Sequence, residues 1–421
     1  MTTRQRILPS QLRVGLYVDL SLGWVQHPFM FSQFKIRSEE QIAIIKGLGL
    51  KTVDILTSKS DVEPLPLKEA VKSTETQEEV DPAPKDEAYL RKQAQIDKQR
   101  QYSRSLNRAR QDFQRSVGEI RSVMQNLSRR PLTAFQDAEN LINEIAQALM
   151  SQKDVVLHLM NDPKGDDSLY FHCLNVSMLS MLMARAGECS NDEMRLAGLG
   201  GIFHDIGKMK VPSQIVRKEK ADLSDAERNF LALHPQYGGE LAEKYGSFPE
   251  QVRRIITEHH EALDGSGYPK GLKGEQIHPL SQLVAIANEY DNLCHGRKQK
   301  PGIPPHAVLS HLYKNKTAQF NQDHVQQLIR LLGIYPPGTV VELSNGQYGL
   351  VMTVNSARLL SPNVLVYDPK VPRDQAAIID VGEEGLTVEK TIKPANLPQA
   401  VFDYLKPRTH VSYYFEHNRS S

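Results

Sequence analysis

The stretch HHEALDGSGYP, residues 259–269, follows a segment whose apolar periodicity predicts a helix, and its character changes abruptly. Two adjacent histidines and a glutamate give way to a turn that holds Gly265, Gly267 and Pro269, a composition that ends a helix. Taken alone, the stretch fits polar histidines at an exposed helix end as well as it fits a site. The choice between these two interpretations depends on the rest of the chain.

The composition limits the classes of protein to which the chain can belong. Its 421 residues suffice for about two to four domains, and 51 Lys and Arg balance 50 Asp and Glu, which is unlike a binder of nucleic acid polymers. The three cysteines include no CxxC pair, which argues against a disulfide framework and a thiolate zinc site and fits a reducing compartment. Because no signal-like or membrane-length apolar run occurs, we expect a cytoplasmic protein without a membrane span.

Changes in composition and apolar patterning divide the chain into successive segments. Strand-like runs at 12–20 and 51–56 flank a short helix with Ser38 at its N-cap, and Asn345-Gly346 between two strand-like runs is typical of a hairpin. We predict a multidomain protein built around an all-α helical domain. Its segments are a small α+β module at 1–56, a flexible linker at 57–84, a helical or coiled-coil region at 85–149, the helical domain at 150–336, a small β module at 337–395 and a loosely structured tail at 396–421.

The segment 85–130 is basic and repeats apolar side chains every seven positions, at Leu106, Phe113, Ile120 and Leu127. This spacing leaves two interpretations open. One is a coiled coil, which would make a homodimer or bind a signalling partner. The other is a single amphipathic helix packed against its own chain, with the basic residues on its solvated face. In either case Pro131 is predicted to end this helix before a second one begins.

Within the helical domain, GIFHDIGKMKVP (201–212) places His204 directly beside Asp205. Adjacent residues of a regular helix point about 100° apart, so both reach one ion only if the helix end is twisted or two ions lie together. Further histidines fall at the edges of successive helical stretches, at His172, His234, His259 and His260. Imidazoles with a carboxylate and no thiolate predict a site for divalent metal ions.

The motifs HDIGK (204–208) and HHEALDGSGYP (259–269), at this separation, resemble the HD-GYP domain, a branch of the HD metal-dependent phosphohydrolases. The resemblance covers roughly residues 150–336. It implies an HD-type all-α catalytic domain that hydrolyses cyclic di-GMP to pGpG or GMP. The small modules on either side are similar to those that flank some bacterial members.

The resemblance also implies a ligand set and a cofactor. The implied metal ligands are His172, His204, Asp205, His234, His259, His260 and Asn288. With nitrogen and oxygen donors, two divalent ions are implied, iron or manganese. His204 and Asp205, together with Lys208, are the implied catalytic residues.

Four positions match family residues that contact the substrate. Lys208 matches a lysine that contacts the scissile phosphate or is held by a carboxylate, here Asp166. Arg297 and Lys300 match a basic pair that binds the phosphates of the ligand. Tyr268 of the GYP turn is placed to stack on a guanine or to donate a hydrogen bond to a phosphate, which answers the opening question in favour of a site.

The sequence departs from the family pattern at two positions. Asn288 stands where the family has its last metal-ligating aspartate, and an amide oxygen brings no negative charge. Asp291 lies one helical turn further on, and we expect it to support the ligands from behind. Ser168 replaces a glutamate that supports a third metal in some members, so two metals are predicted.

Three functions remain in competition. The leading hypothesis is a cyclic di-GMP phosphodiesterase with two metals. The second is a cyclic di-GMP effector or interaction protein with weak or no hydrolysis, which Asn288 motivates. The third, an HD hydrolase of ordinary nucleotides, is disfavoured by the GYP turn.

Overall fold

The structure, a computed structural model, describes the backbone of residues 4–22, 27–29, 31–66, 83–151, 157–159, 168–218, 221–295, 302–354, 359–371, 373, 376–407 and 413–415. The helices are α1 (Glu39–Gly47), α2 (Ala83–Asn126), α3 (Pro131–Ser151), α4 (Ser168–Ala186), α5 (Asn191–Phe203), α6 (Ser213–Val216), α7 (Asp225–Leu231), α8 (His234–Tyr245), α9 (Glu250–Glu258), α10 (Pro279–Cys294), α11 (Pro305–Asn315), α12 (Gln322–Leu332) and α13 (Gln399–Leu405). The strands are β1 (Arg4–Ile7), β2 (Tyr17–Asp19), β3 (Gln33–Lys35), β4 (Val53–Leu56), β5 (Leu157–Leu159), β6 (Val340–Leu343), β7 (Tyr348–Thr353), β8 (Asn363–Val366), β9 (Ile378–Asp380), β10 (Val388–Ile392) and β11 (Tyr413–Phe415). A 3₁₀ turn at Ile206–Lys210 follows α5.

The chain separates into two compact units. One comprises Met1–Arg104, Glu342–Gly349 and Leu365–Ile379, and the other comprises Ser105–Val341, Leu350–Val364 and Asp380–Ser421. The architecture is a helical HD-type domain with a small β-sheet module before it and a five-stranded antiparallel sheet after it, as predicted. Within the described residues, no helix is both long enough and apolar enough to cross a bilayer.

The N-terminal module is a four-stranded sheet in the order β1-β4-β2-β3, with α1 against it. Its strands pair antiparallel, and Ile45 of the helix is buried with Val18 and Ile55 of the sheet. The predicted N-cap is present, since the Ser38 hydroxyl accepts from the backbone N–H of Gln41 at 3.3 Å. Apolar alternation along short strands and one capped helix are enough to close this small core.

The second half of α2 packs against its own chain. The predicted seam is buried, and its residues are 0–8% exposed at Leu106, Phe113, Ile120 and Leu127. The Phe113 ring makes an edge contact with Phe171 of α4 at a centroid distance of 4.8 Å. From Leu106 onward the structure therefore supports a helix packed within one chain rather than a coiled coil between chains. The helix ends at Asn126, shortly before the predicted break at Pro131.

Glycines allow the helices around the candidate site to touch at their backbones. A Cβ at Gly201 of α5 would lie 2.4 Å from the Cα of Ser177 in α4, so no larger residue fits there. A Cβ at Gly207 would lie 1.8 Å from the carbonyl oxygen of His234. The elements that carry His172, His204 and His234 are consequently held together at main-chain contact.

The C-terminal region forms a sheet in the order β10-β6-β7-β8-β9. The predicted hairpin is present between β6 and β7, where Gly346 has a φ of 77°. The expectation of a loosely structured tail at 396–421 is wrong, because α13 and β11 lie within it. Strand β11 pairs antiparallel with β5, and the buried Tyr414 shares a hydrogen bond of 3.1 Å with Ser116.

Candidate metal centre

Five histidines and one aspartate from four stretches of the chain converge on one place. Their possible ligand atoms form two groups that share Asp205. We call the first the His172 group, which contains His172, His204 and Asp205. The second, the His234 group, contains Asp205, His234, His259 and His260. Six of the seven predicted ligands therefore lie together.

The end of α5 explains how His204 and Asp205 face the same place. The helix ends at Phe203, and the backbone of Asp205 turns to φ −98° and ψ 8° as the 3₁₀ turn begins. The Nε2 atom of His204 lies 3.4 Å from Oδ2 of Asp205. This is the twisted helix end that the sequence required. The adjacent His259 and His260 likewise follow the last residue of α9.

The outward-facing nitrogens of the histidines fix which ring atoms carry the lone pairs. Nδ1 of His204 lies 2.8 Å from the Gly201 carbonyl oxygen, and Nδ1 of His259 lies 2.9 Å from the Ile256 carbonyl oxygen. Nδ1 of His234 similarly lies 2.8 Å from a carbonyl oxygen. A carbonyl only accepts, so each Nδ1 carries the hydrogen and each neutral ring leaves its Nε2 lone pair toward the centre.

These lone pairs face one another in two places. Nε2 of His172 is 3.1 Å from Nε2 of His204, and Nε2 of His234 is 3.2 Å from Nε2 of His259. Two acceptor nitrogens at this distance repel each other unless a cation lies against both. The donors thus fit a metal ion in each group.

Asp205 lies between the two pairs and fits the role of a bridging ligand. Its Oδ1 is 3.3 Å from Nε2 of His234, and its Oδ2 is 3.7 Å from Nε2 of His172. Oδ1 is buried without a hydrogen-bond partner. Burial by itself would raise the pKa of this carboxyl, but the charge of Lys208 and contacts with the histidines outweigh it and hold the pKa well below its usual value. Asp205 is therefore an anion that a cation on either side would stabilise.

Burial keeps His204 and His259 neutral. It lowers the pKa of His204 and, more strongly, that of His259, whose pKa the neighbouring imidazoles lower further. A neutral imidazole is the form that binds a metal, so both rings are in the ligating state at neutral pH.

Asp291 of α10 orients the outermost histidine. Its Oδ2 lies 2.6 Å from Nδ1 of His172, and its other oxygen accepts from the buried amide of Asn175. A carboxylate behind a ligating imidazole fixes the ring and increases its basicity. The structure places Asp291 where the sequence predicted a supporting residue. Asn175 was missed, although its position one turn after His172 in YFHCLNVS is the signal for a shared helix face.

Asn288 is buried one turn before Asp291 on the same helix. Its Oδ1 accepts a hydrogen bond of 2.7 Å from the side-chain amide of Asn292. An oxygen engaged in this way is a poorer metal ligand than a carboxylate, because it carries no charge and one of its lone pairs is occupied.

The GYP turn forms one wall of the His234 group. The Tyr268 ring stacks on His260, with the centroids 4.6 Å apart and the planes 19° from parallel. A Cβ at Gly267 would lie 2.4 Å from the backbone nitrogen of Ala262, so the turn is compact. The buried Glu261 holds it by accepting from the backbone N–H groups of Lys270 and Leu272 at 2.7 and 2.9 Å. Sequence reasoning gave Glu261 no role, since its partners lie across the turn.

The structure leaves part of the predicted phosphate contacts untested. The ammonium of Lys208 pairs with Oδ2 of Asp205, so it lies at the centre. Asp166, Arg297 and Lys300 fall outside the described residues. Ser168 is exposed at the start of α4.

A cavity of about 360 Å³ lies directly beside the centre. Asp205 and Lys208 line one part of it, and residues of α2, α4 and the α6 region line the rest. The metal donors therefore border a space large enough for a small organic ligand.

Two parts of the chain match known families. Residues 4–138 match the family described as a domain of unknown function, DUF3391, and residues 139–323 match the family described as the HD domain.

Several curated proteins are similar to this chain. The cyclic di-GMP phosphodiesterase PA4108 of Pseudomonas aeruginosa is 29% identical over 388 residues, which cover 91% of this chain and 90% of that protein. The cyclic di-GMP phosphodiesterase response regulator RpfG of Xanthomonas campestris pv. campestris is 28% identical over 50% of this chain and 56% of its own length. The 3'3'-cGAMP-specific phosphodiesterase 3 of Vibrio cholerae is 27% identical over 39% of this chain and 35% of its own length.

Proposed function

We propose that this chain, whose residues 139–323 match the HD domain family, is a metal-dependent phosphodiesterase of the HD-GYP branch that hydrolyses cyclic di-GMP. Hydrolysis of one phosphodiester bond would give linear pGpG, and hydrolysis of the second would give GMP. The similarity to PA4108 over nine-tenths of both chains supports this substrate.

The observation that carries the proposal is the pair of facing imidazoles on each side of Asp205. Distances of 3.1 and 3.2 Å between lone-pair nitrogens fit two cations with a carboxylate between them. The nitrogen and oxygen donor set suits iron or manganese. Two such ions would supply an acidified water and neutralise the oxygens of a phosphodiester.

The residues of the chain itself have separate parts in this proposal. The residues that would hold the ions are His172, His204, His234, His259 and His260, and the carboxylate of Asp205 would be available to both groups. Lys208, whose ammonium borders the adjoining cavity, binds a nonbridging phosphate oxygen of the substrate. Tyr268, whose ring stacks on His260, offers its ring or hydroxyl to the nucleotide. Arg297 and Lys300 are proposed as further phosphate contacts.

A second function is favoured by Asn288. With a neutral amide in place of a carboxylate, one metal would bind more weakly, and the protein would act as a cyclic di-GMP effector that hydrolyses slowly or not at all. The hydrogen bond from Asn292 to its oxygen supports this alternative.

The experiment that separates these functions is turnover of cyclic di-GMP by the purified chain reconstituted anaerobically with ferrous iron or manganese. Products are resolved by chromatography, and metal content is measured on the same sample. Turnover with two metals per chain supports the enzyme. Tight binding of the dinucleotide to a metal-loaded sample without turnover supports the effector.

A histidine variant tests the metal site directly. His204→Gln should remove metal and hydrolysis together. The matched control is His306→Gln, which replaces a partly buried histidine whose contact is a 2.9 Å hydrogen bond to Thr391. Retention of metal and turnover by His204→Gln would contradict the assignment.

A further inference from the structure

The cavity beside the metal centre is lined by two chemically distinct kinds of side chain. The carboxylate of Asp205 and the ammonium of Lys208 supply charge next to the metal donors. Further residues that line it are Met124, Gln125, Leu169, Met209 and Arg217. The lining therefore combines charged groups with apolar surface, an amide and a guanidinium. A nucleotide has the same two components, a charged phosphate and a flat ring with polar edges.

Two apolar side chains of the cavity are unusually exposed. Leu169 is 45% exposed and Met209 is 48% exposed, although both are large hydrophobic residues. Apolar side chains left in water around a cavity mark a place where an apolar surface binds. Methionine adapts its shape and makes favourable sulfur contacts with aromatic rings. A flat heteroaromatic ring fits this lining better than an acyl chain does, because Gln125 and Arg217 can also satisfy polar ring edges.

We propose that this cavity, which we name the α2 pocket, binds one guanine base of the cyclic dinucleotide, with Arg217 reading its edge. The inference rests on the proposed function, since the phosphate next to that base would lie at Lys208. It assigns to the last turn of α2, where Met124 and Gln125 lie, a direct part in substrate binding. A segment between the N-terminal module and the helical domain thereby becomes part of the site.

The chemistry of Arg217 favours guanine over adenine. A guanidinium donates two hydrogen bonds to the O6 and N7 acceptors of guanine, whereas adenine presents an amino donor in place of O6. Gln125 has the amide that pairs with adenine, but the charge-assisted bonds of arginine are the stronger ones. The relatives named for cyclic di-GMP and for 3'3'-cGAMP act on molecules that differ in one base. Metal ligands cannot distinguish two substrates that differ only in a base. A residue that contacts the base must do so.

The test compares three variants with a matched control on the metal-loaded full chain. Arg217→Met removes the guanidinium, Arg217→Lys keeps the charge without the two-bond geometry, and Leu169→Trp fills the cavity from an exposed position. The control is Arg228→Met, which removes a half-exposed arginine that pairs with Asp225 at 2.8 Å on α7. The substrates are cyclic di-GMP, cyclic di-AMP and bis(p-nitrophenyl) phosphate, which has no base.

We expect Arg217→Met to raise the KM for cyclic di-GMP, or its Kd where turnover is slow, by roughly 5- to 150-fold, which corresponds to a base contact of 1–3 kcal/mol. Leu169→Trp should raise it as well, and Arg217→Lys should recover only part of the loss. Preference over cyclic di-AMP should fall in both Arg217 variants. The metal content of the three pocket variants and all values for Arg228→Met should stay at wild-type level.

Two kinds of result would overturn the proposal, and they are distinguishable. If the wild-type chain binds or hydrolyses cyclic di-GMP and neither Arg217→Met nor Leu169→Trp changes its KM or Kd, the base binds elsewhere while the proposed function stands. A loss of bound metal in these variants would mean that they disturb the metal centre. If the wild-type chain hydrolyses bis(p-nitrophenyl) phosphate but neither binds nor hydrolyses cyclic di-GMP, the proposed function fails and the pocket assignment fails with it.

Discussion

The His172 group and the His234 group share Asp205 but orient their histidines by different means. In the His234 group, the rings of His234 and His259 are both held by main-chain carbonyls of their own helical turns. In the His172 group, His172 depends on the side chain of Asp291, which reaches it from another helix. The His234 group also has four protein donors against three. His204 of the His172 group is also held by a main-chain carbonyl, that of Gly201. The two groups therefore differ in one ring, because His172 alone depends on a tertiary side-chain contact that a single substitution can remove.

Replacement of the shared ligand should have the largest effect. Asp205→Asn removes the charge that faces both groups, so we expect both metals to be lost and hydrolysis to fall roughly a thousandfold or more. Metal content and turnover measured on one sample would check this. Asp225→Asn, at an exposed surface pair, is the control. Loss of one metal alone would mean that Asp205 does not bridge.

Removal of the side-chain support should affect one group only. Asp291→Asn leaves His172 without its carboxylate partner, and such substitutions lower metal affinity by about 10- to 100-fold. We expect titration with metal to show one weakened site and one unchanged site. Glu258→Gln is the matched control, because Glu258 is a buried carboxylate that binds Arg254 and a backbone N–H. Equal weakening of both sites would contradict the division into two groups.

A carboxylate at position 288 should strengthen metal binding, in contrast to the two preceding substitutions. Asn288→Asp adds a carboxylate on the helix that carries Asp291, and we expect one metal to bind roughly tenfold more tightly. Metal titration of this variant beside Asn292→Ala, which removes the partner of the amide, would separate the effect of charge from that of the hydrogen bond. An unchanged affinity in Asn288→Asp would show that another ligand already occupies that position.

The effect of pH on the stability of the metal-free protein should be the smallest of the effects predicted here. Burial lowers the folded-state pKa of His204 and lowers that of His259 further, so below the unfolded value of about 6.5 the unfolded chain binds more protons. The metal-free protein should therefore lose stability as pH falls through about 6.5, and its Tm should be lower at pH 5.5 than at pH 7.5. His204→Gln and His259→Gln should each flatten this dependence. An unchanged slope in both variants would contradict this origin of the pH dependence.

The sequence predicted most of the metal centre because its ligands lie in short, chemically distinctive motifs. The pairs His204-Asp205 and His259-His260 were recognised, and the twisted helix end they required is present. The partners that orient them were harder to find. The sequence shows that Asn175 shares a helix face with His172 but not that it contacts Asp291, which lies 116 positions further on. The role of Glu261 depends on how the GYP turn folds back on it, which the sequence does not show.

The fold was predicted best where the signal is local. The Asn345-Gly346 hairpin and the capped helix α1 follow from turn and cap chemistry. The heptad of α2 could not be resolved in advance, because a buried stripe has the same spacing whether its partner is a second chain or the same one. The strand in the predicted tail was missed for a related reason. Strand β11 is stabilised by pairing with β5, which lies far away in the sequence.

The contact between Gly207 and the carbonyl of His234 sets a limit on the size of the metal centre. The backbone of the 3₁₀ turn that follows α5 contacts the backbone of α8 at this point. No side chain of Gly207 lies between them that could repack and change their separation. The distance between the ligands carried by these two elements is therefore fixed by the backbone. Ions of different radius must adjust to it through the number of small exchangeable ligands they keep, and tolerance for more than one metal would reside in those ligands rather than in movement of the protein.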